Sequence, residues 1–173
     1  IEDLFCHDIK KMTLSNGESV PSLDSFLKIG LAQENTKLII EIKSSPTSEL
    51  LTLKTVNLFY ELLKTYSYPN HLIEVIMFCW NGAIKIKQLL PQLKVCYLNG
   101  DKEVNEIVNV GLDGIDYHYS NLVDPSFIID QCNKFQKISN AWTVNDWEIA
   151  NQLIDKKITY ITTDYPQLFI KNN

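Results

Sequence analysis

A short, nearly uninterrupted apolar run followed by an amphipathic helix recurs along this chain, and that alternation restricts its fold more than any other feature. The runs occupy 38–44, 73–80, 94–99, 114–120, 138–144 and 158–163. They are rich in Ile, Val and aromatic residues with few polar interruptions, the way parallel strands buried on both faces read. Helical periodicity fills the intervals. Residues 47–66 carry Val56, Phe59, Leu63 and Tyr66 at helical spacing, and 81–90 stops at Pro91. Residues 102–110 run into Gly111, a good left-handed cap. The segment 124–135 places Ile128, Cys132 and Phe135 on one stripe. Asn145 or Asp146 can cap a helix reaching Asp155, with Ile149 and Leu153 inward. Ahead of the first run, Ser22 can cap a helix presenting Leu23, Phe26, Leu27 and Leu31.

Regular strand–helix alternation implies a parallel sheet, either doubly wound or closed into a barrel. No Gly-rich phosphate fingerprint follows the first run, as a dinucleotide-binding sheet would want. Six units fill these 173 residues, whereas eight in a standard barrel take about 250. The expectation is therefore an α/β chain of the TIM (β/α)8 class, a single domain over 1–173, with about six βα units visible and the first two strands missing.

Charge and hydropathy remove several classes of function. The net charge is −5, without a Lys/Arg stripe to grip a phosphate backbone, so no nucleic acid is expected as a partner. The longest fully apolar stretches, such as 75–80, reach about half a dozen residues, and a membrane span needs about 20, so no transmembrane segment is expected. Ile1-Glu2-Asp3 does not read as a signal peptide, and the absence of an initial Met leaves the true start, and with it the compartment, open. Cys6, Cys79, Cys96 and Cys132 lack the C-x2-C spacing of a zinc or redox site and read as buried or inert thiols.

In a barrel of this kind the reactive groups stand at the C-terminal ends of strands. Within Ile39-Ile40-Glu41-Ile42-Lys43, a period of two puts Ile39, Glu41 and Lys43 on one face and Ile40 and Ile42 on the other. The Ile40/Ile42 face suits packing against helices, which aims Glu41 and Lys43 into the mouth. Burying charges there costs several kcal/mol each, about the price of a functional site rather than of decoration. The alternative is a structural ion pair at a strand end. Asp116 and His118 share a face of the fourth run; His118 reads either as a phosphate donor or as a hydrogen-bonded packing residue. Trp142 is either an apolar wall for a small ligand or core. Asp164, ahead of Tyr165-Pro166, reads as an organiser of the final turn.

Taken in order, Pro21-Ser22-Leu23, Ile40-Glu41-Ile42-Lys43, Trp142-Thr143-Val144-Asn145-Asp146 and Thr163-Asp164-Tyr165-Pro166 resemble the glycerophosphodiester phosphodiesterase family. Its members typically read Pro-Thr-Leu, Glu-Ile-Lys, Trp-Thr-Val-Asn and Thr-Asp-Tyr-Pro at similar distances. Asn16-Gly17-Glu18, Tyr97-Leu98-Asn99-Gly100-Asp101 and Leu112-Asp113-Gly114-Ile115-Asp116-Tyr117-His118 further resemble a bacterial branch. The resemblance runs the whole length of the chain and places it in the C-terminal part of a phosphodiesterase-type barrel. It implies hydrolysis of glycerophosphodiesters such as glycerophosphocholine to glycerol 3-phosphate and an alcohol. It also implies a divalent cation, Ca2+ or Mg2+, held by carboxylates, with two histidines as acid and base. By position Glu41 corresponds to a metal ligand and Lys43 to a residue facing the phosphate; the reading of the residues themselves adds His118 at the phosphate and Trp142 as a wall of the pocket.

The family's His-Arg-Gly and Glu-x-Asp motifs have no counterpart among these residues. His7-Asp8 is too close to Pro21 to be its His-Asp motif; residues 8–12 read instead as a short helical stretch. Glu34-Asn35-Thr36 mimics a family Glu-Asn-Thr but abuts the first strand. Met77 and Cys79 stand where the family often has Ser and Asp, a departure expected to alter the substrate pocket. The chain as given is accordingly expected to lack appreciable turnover by itself. Two rival readings are a non-catalytic barrel, serving as a scaffold or binding a phosphorylated small molecule, and a related barrel lyase or phospholipase.

Overall fold

A computed structural model describes residues 4–123 and 127–169. The opening Ile1-Glu2-Asp3 and the expected helix start at Asp124 lie outside the described residues. Six strands form one sheet: β1 Leu38–Glu41, β2 Ile73–Met77, β3 Lys94–Tyr97, β4 Gly114–His118, β5 Ile138–Trp142 and β6 Tyr160–Ile161. Every neighbouring pair is parallel, and the spatial order β1-β2-β3-β4-β5-β6 is the sequence order. A doubly wound sheet would reverse its order partway; one that adds each strand in turn follows the wall of a (β/α)8 barrel. All six expected strands are present, each within its apolar run.

The helices among the described residues are α1 Cys6–Ile9, α2 Leu23–Gly30, α3 Glu49–Leu63, α4 Trp80–Leu89, α5 Val104–Asn109, α6 Ser120–Val123, α7 Phe127–Lys134 and α8 Trp147–Asp155. Their ends follow local chemistry. Ser22 Oγ accepts from Ser25 N to cap α2, and Asp146 accepts from the backbone N–H groups of Glu148 and Ile149 to cap α8. Gly111 has φ +77° two residues beyond α5, where it forms the expected left-handed cap.

The core lies between the outer face of the sheet and these helices. Ile40, Ile42, Val75 and Ile115 meet Val56, Leu63, Ile86 and Ile107, all buried. Each large aliphatic side chain so buried contributes about 1.5–3 kcal/mol. Three expected stripes are corrected. On α7 the inward pair is Ile129 and Cys132; Ile128 is partly buried and Phe135 exposed, so packing turns the buried face by one residue. On α2 Leu27 is buried while Phe26 is exposed. Tyr66 lies beyond α3 and is partly covered, its hydroxyl donating to Asp24 Oδ1 at 2.5 Å. The short helical stretch near residue 8 is α1, which begins earlier, at Cys6.

Two features bind the sheet. Gly114 is the close-approach point of β4 and β5: a Cβ there would stand 2.2 Å from the Ile138 carbonyl oxygen. At the opposite rim from the mouth, the Lys37 ammonium donates to Glu74 and, at 2.7 Å, to the Tyr160 hydroxyl, joining the start of β1 to β6 across the interior. Strands at the two ends of a flat sheet could not meet in this way. The arc curls.

Candidate functional site: the mouth of the arc

Glu41 is the last residue of β1, and its carboxylate is about a third exposed, at 29%, while the Lys43 ammonium is 80% exposed. Nζ of Lys43 lies 2.7 Å from Glu41 Oε1. Ile40 and Ile42 are buried among helices on the other face. The alternation expected from the sequence is therefore realised: both charges leave the C-terminal end of β1 toward the interior.

They open onto a cavity of about 330 Å3 lined by Glu41, Lys43, Phe78, Leu98, Trp142 and Thr162, with Asp116 at its base. Each residue stands within or just beyond the C-terminal end of a different strand or, for Lys43, its extension. Trp142 is held by its indole N–H, which donates to the Asp116 carbonyl at 2.8 Å, and by an edge-on contact with Phe78 at 5.8 Å. It forms a wall of the mouth rather than core. His118 stands beside Trp142, ring centroids 5.2 Å apart, outside the lining of this cavity. Its Nδ1 lies 2.8 Å from Ser120 Oγ and accepts from the Ser120 backbone N–H at 3.3 Å. That contact leaves Nε2 as the ring nitrogen available to a ligand.

The paired motifs at the end of the chain have a structural task. Asn145 Nδ2 donates to Asp164 Oδ2 at 2.8 Å, and its Oδ1 accepts from the Thr163 hydroxyl and the Asp164 N–H, each at 3.0 Å. The loop after β5, which carries Trp142 and Thr143, is thereby locked to the loop after β6. Asp164 organises this turn, as its position before Tyr165-Pro166 implied.

Met77 and Cys79 do not alter the mouth, contrary to expectation. Met77 is fully buried in the helix layer, where its side chain packs against Gly82, and Cys79 accepts from Gly82 N as the cap of α4. Only Phe78, between them, reaches the cavity. The period of two along β2 turns the flanking positions outward. Of the four thiols, Cys96 and Cys132 are buried, Cys79 is half-buried and Cys6 is exposed, so burial does not extend to all of them. Cys96 faces the interior, where burial holds its thiol well above the usual range.

Beneath the mouth lies a second cavity of about 510 Å3, bounded by Lys37, Glu41, Glu74, Asp116, Asn140 and Tyr160 among others. Asp116 is 2% exposed. Burial pushes its carboxyl up to about 6, against the hydrogen bond from Asn140 and with the help of the Glu41 charge. In the sequence Asp116 stands out only as a neighbour of His118, Thr162 only as the start of the run that ends in Asp164-Tyr165-Pro166, and Asn140 not at all. Asn140 stands in an ordinary apolar run, and the partners that reveal it come from the adjoining strands.

The fit to a divalent cation is that of an open site. Among the described residues no three His, Cys, Asp or Glu side chains cluster as a closed cage. A Mg2+-like ion, which takes one or two carboxylates and completes its shell with water and phosphate oxygens, is compatible with Glu41 at the mouth and Asp116 at its base. No described helix is long and apolar enough to cross a membrane.

A parallel arc with a carboxylate, an ammonium and an aromatic wall at the C-terminal ends of its strands defines a wall of a (β/α)8-type barrel with its polar groups gathered at the mouth. Solved structures narrow the class. A glycerophosphodiester phosphodiesterase from Parabacteroides distasonis matches with a TM-score of 0.91 at 30% identity, over 97% of this chain and 70% of that one. An Oleispira antarctica phosphodiesterase, solved in complex with the product sn-glycerol-3-phosphate, matches with a TM-score of 0.77 at 20% identity, over 97% and 70%. A Thermotoga maritima glycerophosphodiester phosphodiesterase gives 0.69 at 17%, over 100% and 71%. The last two likenesses concern the fold alone. The chain belongs to the glycerophosphodiester phosphodiesterase family. No protein-family model and no curated protein matches it by sequence.

Proposed function

We propose that the mouth of this barrel binds the phosphate of a glycerophosphodiester, and that the reaction it serves is hydrolysis to glycerol 3-phosphate and an alcohol. The observation that carries this reading is the Glu41–Lys43 pair, projecting from the end of β1 into a cavity walled by Trp142 and Phe78. In such hydrolysis a P–O bond to water oxygen replaces the P–O bond to the alcohol, whose oxygen leaves with a proton. Lys43, long and exposed, swings from Glu41 to a phosphoryl oxygen and offsets its charge. Trp142 and Phe78 exclude water from one side and set the plane in which the ester lies. His118 stands beside the Trp142 ring at the edge of the mouth, where it is a candidate contact to the alcohol part of the ester. A divalent cation, Ca2+ or Mg2+, held in part by Glu41, would supply neutralisation of the phosphoryl charge.

Calorimetry of the chain with sn-glycerol 3-phosphate and Mg2+ tests this. Replacing Glu41→Gln is expected to weaken cation and ligand binding together by roughly tenfold or more, the size of a lost charge-assisted contact. Unchanged binding would sink the assignment.

One observation favours a second reading for these 173 residues on their own. The sequence has no His-Arg-Gly or Glu-x-Asp motif, and no cluster of three metal-binding side chains occurs among the described residues. Binding without appreciable turnover is therefore the outcome expected when glycerophosphocholine is supplied with Ca2+ or Mg2+. Robust hydrolysis in that assay would reject the second reading.

A further inference from the structure

Large apolar side chains stand exposed at the same end of the sheet as the mouth. Leu50 and Leu51 lie in the first turn of α3 after β1, Phe127 opens α7 after β4 and α6, Trp147 opens α8 after β5, and Tyr165 follows β6. Each lies on chain that has left the C-terminal end of a strand and has not yet run back, so together they border the opening over Glu41 and Lys43. All are between 43% and 63% exposed. The first turn of a helix favours polar and acidic residues. Single exposed apolar side chains are ordinary, whereas a set gathered about one polar opening marks an interaction surface. Trp147 is fixed in place by the Phe169 ring, centroids 5.4 Å apart, and Phe169 itself packs against the core.

The charges between these residues select the partner. Glu49, Asp101, Glu103, Asp146, Glu148 and Asp164 lie on the same loops and first turns, against the cations Lys43 and Lys102. Such a rim repels an anionic membrane, and it repels a second copy brought face to face. A choline-lipid surface is neutral as a whole and carries its ammonium outermost. Carboxylates meet that cation first, while the apolar side chains enter the layer beneath. Trp and Tyr suit the boundary, each with an apolar body and a polar tip. Apolar points spread over four separate segments also fit a soft planar layer better than a protein partner, whose contact energy gathers in a compact centre. The geometry points to docking of the mouth face on a zwitterionic, choline-headgroup lipid surface through Leu50, Leu51, Phe127, Trp147 and Tyr165. Docked in this way, the Glu41–Lys43 mouth faces the phosphodiesters of the headgroups. The choice of a lipid partner rests on the phosphate reading of that mouth.

Flotation of the 173-residue chain with phosphatidylcholine vesicles tests this, with sn-glycerol 3-phosphate calorimetry on the same preparation. The chain is expected to float with neutral vesicles, and to do so less as phosphatidylglycerol is added at low salt. Leu50→Ser combined with Leu51→Ser is expected to lower the partition about tenfold or more, and Phe127→Ser, on a separate helix, about threefold. Glycerol phosphate binding stays unchanged in both. Ile29→Ser is the control: Ile29 is 77% exposed, but its neighbour Gly30 packs on Leu38 at the start of β1, the rim opposite the mouth. That variant is expected to partition like the wild type. No flotation, flotation that grows with phosphatidylglycerol, an equal loss in Ile29→Ser, or a partition unmoved in both rim variants overturns the docking surface. A dimer that the rim variants dissolve, without flotation, assigns the rim to a second copy and overturns it as well. Glycerol phosphate binding without flotation rejects the docking alone; flotation without that binding rejects the phosphate reading alone.

Discussion

At the residue scale, Asp116 couples the interior to pH. Its carboxyl titrates near 6 in the folded chain, chiefly because burial penalises the charged form, against about 3.9 in an unfolded one. The native state therefore holds this proton more tightly than the unfolded state does. Its contribution to stability is complete below about pH 4, falls as pH rises toward 6, and is absent above that. The gap corresponds to at most about 3 kcal/mol. In metal-free buffer, Asp116→Asn keeps an acceptor for Asn140 while removing the charge. It is expected to flatten the urea-unfolding profile between pH 4 and 7 and to raise stability at pH 7 by about 1–3 kcal/mol. An unchanged slope would show that the carboxylate is better solvated than its surroundings suggest.

At the element scale, the mouth depends on how the loops after β5 and β6 are joined. Asn145 makes three of the hydrogen bonds that join them, with Asp164 Oδ2, Thr163 Oγ1 and Asp164 N, beside the Val144 N–H that donates to the Thr162 carbonyl at 2.9 Å. Asn145→Ala is expected to cost about 1–3 kcal/mol and to release Trp142 from its wall position. The check is a red shift of tryptophan fluorescence at the mouth together with a lowered urea midpoint; Trp80→Phe and Trp147→Phe in the same background isolate the Trp142 signal. The Trp-Thr-Val-Asn and Thr-Asp-Tyr-Pro signatures thus serve the site indirectly, through the lock that Asn145 makes with Thr163 and Asp164.

At the scale of the whole molecule, the arc is held in its curvature at the rim opposite the mouth. Lys37 joins Glu74 on β2 to Tyr160 on β6. Glu74 is 5% exposed, so removing its cation strands a buried charge. Lys37→Met is expected to cost about 3–5 kcal/mol, measured by thermal unfolding at pH 7. Protonating the stranded carboxyl should recover part of the loss at pH 4. Loss of the same size in Tyr160→Phe would assign the effect to the hydroxyl instead.

The strands, their parallel sense and the direction of Glu41 and Lys43 were legible in the sequence, because each follows from local periodicity; the barrel class needed the missing Gly-rich fingerprint and the count of units against chain length as well. A continuous apolar run with helices on either side has only a parallel sheet in which to bury itself, and a period of two decides which side chains share a face. Three things belonged to the tertiary structure alone. Met77 packs against Gly82 of α4 in the helix layer, a contact that the alternation along β2 allows but does not specify. The inward face of α7 moved from Ile128 to Ile129 because packing, not spacing, decides which side of a short helix is covered. The cluster of Asn140, Asp116 and Thr162 exists only because β4, β5 and β6 lie side by side, bringing together residues more than 20 positions apart in the chain. Hydrogen bonds between neighbouring strands depend on register, and no pattern within a single strand records its neighbour's register.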